Sequence, residues 1–254
     1  MTPPGILAVF GHPDDESLVA GGVLARHAAA GARTTVVTAT WAPGTRRADE
    51  LADAVRALGA EPPQMLGYAD DRAPDSAPGR PRWCDVPLEE AVARVVAAIR
   101  AARPEIVLTH DAYGGLTGHP DHRRTHQVTL LAAAAAGLGD LHPEAGEPWQ
   151  PGAVYLATHP DSAVADLGPL MTRVRKSVLA VPREQVSAVV DVRPWLDRKW
   201  AAILAHRSQV ERERPLPGIL ARLPAATRHR IIGTEYYLRV GLTPATPPLT
   251  ELTA

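Results

Sequence analysis

Short runs of β-branched and apolar residues alternate with longer segments of helical period along most of this chain. The first run is ILAVF at residues 6–10, and a segment of helical period follows it at 17–31. Parallel strands need a crossover connection that a helix commonly supplies, so this alternation is typical of βαβ units. It predicts an α/β fold with a Rossmann-like, mostly parallel sheet that is flanked by helices.

The other predicted elements come from the same two periods. The further strands are predicted at 34–40, 65–68, 105–110, 153–159, 187–192 and 234–240. The further helices are predicted at 46–58, 88–104, 124–137 and 194–209. The polar stretch 137–151 is predicted to be a loop, and ERERPLPGILARLP at 211–224 a surface excursion.

The length and the absence of a sharp change in composition favour one domain over residues 1–254. Its core is expected at about 5–240, with a frayed tail at 241–254. The net charge of -1 gives no electrostatic reason to expect nucleic acid or an anionic membrane as a partner. The oligomeric state is left open, and a homo-oligomer is compatible with the sequence.

The single cysteine, Cys84, excludes an internal disulfide framework and favours the cytoplasm as the compartment. We interpret Cys84 as a small buried hydrophobe. The N-terminus has no basic stretch before a long apolar run, so no signal peptide is expected. No apolar window approaches the roughly 20 residues that a membrane-spanning helix needs.

Residues able to bind a metal cluster after two of the predicted strands. GHPDDES at 11–17 follows the first strand, and HDAYGGLTGHPDHRRTH at 110–126 follows the fourth. Both contain the tripeptide His-Pro-Asp, at 12–14 and at 119–121. Ligands of an open parallel sheet bind at the carboxyl ends of its strands, so the active site is predicted there.

A catalytic zinc site needs about three His or carboxylate ligands and leaves a further position for water. His12 and Asp15 are three positions apart where the strand turns into a helix, so both can face one point. A histidine of the second loop would complete the set, and the spacing leaves His119 and His122 both open for that place. Asp14 then points elsewhere and is predicted to be the general base.

Helix capping is the competing explanation for the acidic first loop, because Asp and Ser are good N-cap residues. Capping does not explain the second His-Pro-Asp, and a metal site is therefore favoured. We interpret His110 as a supporting or packing residue, and His126 as a helix-face residue because HRRTH lacks the zincin glutamate. The chain has no GxSxG motif, no GxGxxG after the first strand and no Walker lysine, which disfavours serine hydrolases and dinucleotide-binding proteins.

HPDDE at 12–16 together with GHPDH at 118–122 resembles the LmbE-like, or PIG-L, superfamily of zinc-dependent N-deacetylases. RADELADAVRALGA at 47–60 and KWAAILAHRSQ at 199–209 are also similar to segments of that family. The resemblance implies removal of an acetyl group from an N-acetylglucosamine-type sugar conjugate, a small-molecule substrate. It also implies one Zn²⁺ per chain as the cofactor.

The site residues that the resemblance implies fall on matching positions of this chain. They are His12, Asp15 and His122 as zinc ligands, Asp14 as the base, and His119, supported by Asp121, as the group that stabilises the oxyanion or protonates the leaving amine.

The resemblance also places Arg47, Asp70 and Thr117 near the substrate. A structural salt bridge is an equal alternative for Arg47 and Glu50, and Thr117 stands where some relatives have a tyrosine. Two other functions stay open: an amidase that cleaves a thiol-conjugate amide, and a non-catalytic relative that binds metal or sugar.

Overall fold

The computed structural model describes residues 3–242, and within that range seven strands form one sheet. The strand order is β3-β2-β1-β4-β5-β7-β6. Neighbouring strands from β3 to β5 run parallel, whereas β7 is antiparallel to both β5 and β6. The predicted α/β fold with a mostly parallel sheet is therefore confirmed. The strands are β1 Ile6–Phe10, β2 Thr34–Thr40, β3 Gln64–Tyr68, β4 Ile106–His110, β5 Ala153–Thr158, β6 Ala188–Asp191 and β7 Thr234–Gly241.

Ten α-helices connect or cover these strands in the part of the chain that is described. They are α1 Asp15–Val19, α2 Gly21–Ala29, α3 Arg46–Leu58, α4 Leu88–Ala102, α5 Pro120–Ala135, α6 Gly168–Arg173, α7 Leu196–Ala205, α8 Arg207–Val210, α9 Leu216–Ala221 and α10 Ala225–Ile232. None of them is long and apolar enough to cross a bilayer. Of the tail expected to fray, residues 243–254 lie outside the described range.

The predicted helix at 17–31 is in fact two helices that separate at Ala20, where φ is -138°. The second helix, α2, begins there because Glu235 accepts hydrogen bonds from the Gly22 and Val23 amides, at 2.7 and 3.0 Å. These amides belong to the first turn of α2 and have no hydrogen-bond acceptor within the helix itself. A Cβ at Gly22 would overlap the Val192 side chain, so the absence of a side chain lets this turn pack closely.

The C-terminal third departs further from the prediction. The helix expected at 194–209 breaks at His206 into α7 and α8. The prediction of a surface excursion at 211–224 is wrong, because this segment contains α9 and buries Ile219 and Leu220. Leu220 lies in one apolar cluster with Leu196 and Ile203 of α7.

Apolar side chains cover both faces of the sheet and set the position of the site. On one face, residues of α4 and α5 such as Val95 and Val128 pack against the strands. On the other, Leu24 of α2 and Leu51 of α3 do the same. The chain therefore leaves β1 towards one face and the adjacent β4 towards the other. Such a divergence opens a crevice between the carboxyl ends of the two strands, where ligands commonly bind in open α/β sheets.

Candidate metal centre

Three predicted ligands converge in the crevice between β1 and β4. His12 Nδ1 lies 2.8 Å from His122 Nε2 and 3.5 Å from Asp15 Oδ2. His122 Nε2 is 3.3 Å from the same Asp15 oxygen. Donors that surround one zinc ion tetrahedrally at 2.0–2.2 Å lie about 3.3–3.6 Å apart. The two distances to Asp15 match this spacing, and the two imidazole nitrogens lie closer together than it, at hydrogen-bonding distance. The chemistry of two imidazole nitrogens and one carboxylate oxygen suits zinc.

The two histidine rings are held from behind by hydrogen bonds. His122 Nδ1 lies 3.1 Å from the Gly114 carbonyl oxygen, to which it donates, and this leaves Nε2 free to face the other ligands. His12 Nε2 faces Asp121 Oδ2 at 3.0 Å and Asp70 Oδ2 at 3.3 Å. Contacts of this kind fix the orientation of metal-binding imidazoles and increase their basicity.

The charge around His12 favours a bound cation. Burial alone would lower the pKa of His12, but hydrogen bonds to Asp121 and Asp15 and the charge of Asp70 raise it to about 10. Burial would likewise raise the pKa of Asp15, but His122 and His110 hold it well below its usual range. The crevice therefore stabilises a positive charge at the point where the donor atoms meet. A divalent metal ion would satisfy the same carboxylates, so the residues present fit such an ion.

Asp14 lies beside these donors in an unusual backbone conformation, with φ at 120°. Its side chain makes no helix-capping hydrogen bond, and instead Oδ2 pairs with Arg47 at 3.2 Å. Burial raises the pKa of Asp14, although Arg47 opposes the shift. A carboxylate whose pKa moves towards neutrality is suited to accept a proton in catalysis.

His119 begins α5 as its N-cap, and its Nδ1 accepts the Asp121 amide hydrogen at 3.2 Å. The ring proton of a neutral His119 is consequently on Nε2. Burial, followed by the charge of His12, lowers the pKa of His119 to about 2, so the ring is neutral. The Asp121 carboxylate lies nearer to His12 than to His119, since Oδ2 is 3.0 Å from His12 Nε2 and 3.7 Å from His119 Nδ1.

Cys84 is a site residue that sequence reasoning missed. Its thiol donates to Asp121 Oδ1 at 3.2 Å, while the Asp71 amide donates to Oδ2 at 3.0 Å. Burial raises the pKa of Cys84 to about 12, so the thiol stays protonated and keeps donating. Our interpretation of Cys84 as a plain hydrophobe was therefore wrong. The surrounding RPRWCDVP carries no motif that points to this contact.

His110 supports the ligands from the end of β4. Its ring stacks on His122 with centroids 3.9 Å apart, and its Nε2 lies 3.4 Å from Asp15 Oδ2. Asp15, His110 and His122 also offer one metal-ligand atom each, and these three atoms lie within 4.8 Å of one another. Burial and then His122 lower the pKa of His110 to about 4, which keeps it neutral. His126 lies on α5, and its Nδ1 donates to the His110 carbonyl at 2.9 Å.

Of the residues expected near the substrate, Arg47 contacts Asp14 and Asp70 contacts His12. Arg47 donates to the Pro13 carbonyl and lies over the Trp41 ring, with its guanidinium carbon 4.7 Å from the centroid. Glu50 pairs with Arg46, at 3.0 Å, and not with Arg47. Thr117 is partly exposed on the loop that precedes His119.

Comparison with known proteins points in one direction. Residues 7–133 match the family model described as PIG-L, GlcNAc-PI de-N-acetylase. The chain is 34% identical to the 1D-myo-inositol 2-acetamido-2-deoxy-alpha-D-glucopyranoside deacetylase of Geodermatophilus obscurus, with 93% of this chain and 92% of that protein covered. It is 36% identical to the protein of the same name from Rhodococcus jostii, over 81% of each. The N,N'-diacetylchitobiose deacetylase of Pyrococcus horikoshii has the same fold, with a TM-score of 0.64 at 19% identity over 93% of this chain and 84% of that one.

Proposed function

The chain belongs to the PIG-L family, and we propose that it is a zinc-dependent hydrolase that removes an acetyl group from an N-acetylglucosamine-type sugar conjugate. The observation that carries the proposal is the convergence of His12, Asp15 and His122, whose donor atoms lie within 2.8–3.5 Å of one another beside Asp14. The two relatives that are 34% and 36% identical to it over the aligned residues are both named as deacetylases of an acetamido sugar.

In this proposal His12, Asp15 and His122 hold one zinc ion per chain. When bound, such an ion polarises the amide carbonyl and acidifies a water molecule. Asp14 accepts the proton of the attacking water, because its carboxylate pairs with Arg47 and burial raises its pKa. The same proton then passes to the amide nitrogen as the C–N bond breaks, so that acetate and a free amine leave. Arg47 keeps the Asp14 carboxylate in place through their 3.2 Å ion pair.

We assign His119 to the oxyanion of the tetrahedral intermediate. Its Nδ1 already accepts the Asp121 amide hydrogen, so Nε2–H is the group that it can donate. Loss of one such donor typically lowers kcat by about 10²–10³-fold. The Asp121 carboxylate orients His12, while its amide holds the ring of His119.

Three residues complete the proposal on the substrate side. Arg47 contacts Asp14 and Asp70 contacts His12, and Thr117 is the position where we expect substrates to be distinguished. The protein is proposed to act as one domain, in the cytoplasm, on a small amino-sugar conjugate.

A substrate panel tests this function. Zinc-loaded protein is incubated with N-acetylglucosaminyl inositol, N-acetylglucosaminyl malate or free N-acetylglucosamine, and both the free amine and the acetate are quantified. We expect equimolar amine and acetate from at least one conjugate, none after chelation, and about 10²–10⁴-fold slower release from Asp14→Asn. Cleavage of a thiol-conjugate amide without acetate release would favour the amidase. Retained zinc with no turnover of any compound would favour the non-catalytic relative.

A further inference from the structure

Two fully buried residues next to the metal centre have no role in the chemistry proposed above. Glu16 directly follows Asp15, and His206 forms the break between α7 and α8; both are 0% exposed. His206 Nε2 lies 2.8 Å from Glu16 Oε1, which also accepts the Ser17 hydroxyl at 2.5 Å. His206 Nδ1 has no hydrogen-bond partner among residues 3–242, so the contact with Glu16 is the main one that this ring makes.

The second oxygen of Glu16 holds the backbone of the proposed base. Glu16 Oε2 accepts the Asp14 amide hydrogen at 3.0 Å, and Asp14 is the residue whose φ is 120°. A non-glycine residue in such a conformation costs about 1–3 kcal/mol and persists only where its surroundings hold it. The carboxylate of Glu16 therefore joins the strained turn of the first loop to the α7–α8 break.

The same break is also tied to the side chain of Asp14. The Ser208 amide and hydroxyl donate to the two carboxylate oxygens of Glu50, at 2.8 and 2.6 Å. Glu50 lies on α3 three positions after Arg47, and Arg47 pairs with the Asp14 carboxylate at 3.2 Å. The turn at 206–208 is thus connected to both the backbone and the carboxylate of Asp14, by two separate routes.

We propose that Glu16 and His206 are positioning residues for catalysis: their hydrogen bond fixes the Asp14 backbone in its positive-φ conformation and so aims the Asp14 carboxylate. The catalytic part of this inference rests on the proposed function, since it takes Asp14 as the general base. The structural part can be measured without any substrate. Displacement of a catalytic group by about 1 Å can cost about 10²-fold in rate, so the loss of this support should be visible in kcat.

The variants His206→Ala and His206→Gln separate positioning from plain stabilisation. We expect His206→Ala to lower kcat by about 10- to 100-fold while zinc content stays at one per chain and KM changes less than about threefold. The Asp14 amide, followed by NMR hydrogen exchange in the zinc-loaded protein, should exchange at least about tenfold faster. His206→Gln keeps an N–H that can reach Glu16, so its kcat and its Asp14 exchange rate should both lie close to the wild-type values.

An Asp14→Asn background gives the sharpest discrimination. If His206 acts through Asp14, His206→Ala should cause no further loss of the residual turnover in that background. An equal loss in both backgrounds, or an unchanged Asp14 exchange rate in His206→Ala, would overturn the inference. Should His206→Ala fail to fold, Glu16→Gln is measured in its place with the same expectations.

Arg100→Gln is the matched control for the loss of buried hydrogen bonds. Arg100 is 4% exposed near the end of α4, and its guanidinium donates to carbonyls such as those of Ala136 and Leu138. We expect this variant to unfold at lower temperature without any change in Asp14 exchange or kcat. If wild-type protein turns over no substrate, the proposed function fails while the exchange data still decide the positioning role.

Discussion

Asp121→Asn is expected to weaken zinc binding although Asp121 is not one of the proposed ligands. The substitution keeps the shape of the side chain and removes the charge that faces His12 Nε2 at 3.0 Å. Loss of a carboxylate behind a metal-binding histidine typically costs 10- to 100-fold in metal affinity, which corresponds to about 1.4–2.7 kcal/mol.

We expect the loss of zinc affinity to lie near the lower end of that range. Asp70 Oδ2 also faces His12 Nε2, at 3.3 Å, so one carboxylate remains behind the ring when Asp121 is neutralised. We therefore expect about a tenfold loss for Asp121→Asn alone. The double variant with Asp70→Asn should lose more than the sum of the two single effects, because no carboxylate is then left behind the ring.

The assay is a competition titration of zinc-free protein against a fluorescent chelator of known affinity at pH 7. Asp111→Asn serves as the control because Asp111 is also buried at this end of the sheet, where it accepts from the Gly115 amide and the Thr158 hydroxyl. It should lower stability while the zinc Kd changes less than about threefold. An unchanged Kd for Asp121→Asn, or an equal loss in the control, would refute the reasoning.

Three further outcomes are expected. Asp14→Asn should lower kcat by about 10²–10⁴-fold at unchanged zinc content, measured by acetate release and metal analysis; a smaller effect would remove Asp14 as the base. Acid should lower the free energy of unfolding of the metal-free protein by about 2 kcal/mol through Asp121. Burial would raise the pKa of Asp121, but the hydrogen bond with His12 outweighs it and lowers that pKa from 3.8 to about 2. Because that pKa is depressed by folding, its contribution is present above pH 3.8 and is lost as the pH falls through 2, so urea unfolding of wild type and Asp121→Asn should converge at low pH. Gly22→Ala should destabilise the protein by about 1–3 kcal/mol in the same assay, because its Cβ would overlap Val192; an unchanged midpoint would contradict the packing described for this turn.

The elements that follow a local pattern could be predicted from the sequence, and the site followed from them. Strands β1 and β4 are short apolar runs, and the polar segments that follow them hold His12, Asp15 and His122, the last two on the first turns of α1 and α5. Parallel pairing brings the ends of neighbouring strands together, so two loops that are far apart in sequence meet.

Elements that depend on distant partners could not be predicted in the same way. The stretch 194–209 has a continuous helical period, yet it breaks at His206, which is hydrogen-bonded to Glu16. The segment 211–224 is rich in Pro and Arg and looks exposed, but α7 provides an apolar surface that buries Leu220. The contact between Cys84 and Asp121 depends on a 3-10 helix of only three residues, Trp83–Asp85, which is too short to give a periodic signal.

The placement of the proposed ligands on two strand ends has a consequence for the lifetime of the folded chain. His12 and His122 are 110 positions apart, so an ion held by both acts as a crosslink that closes a long loop. Zinc at 100 times its Kd would add about 2.7 kcal/mol to the free energy of unfolding. The zinc concentration around this protein would then govern both the rate at which the protein is degraded by proteolysis and the rate at which it hydrolyses its substrate.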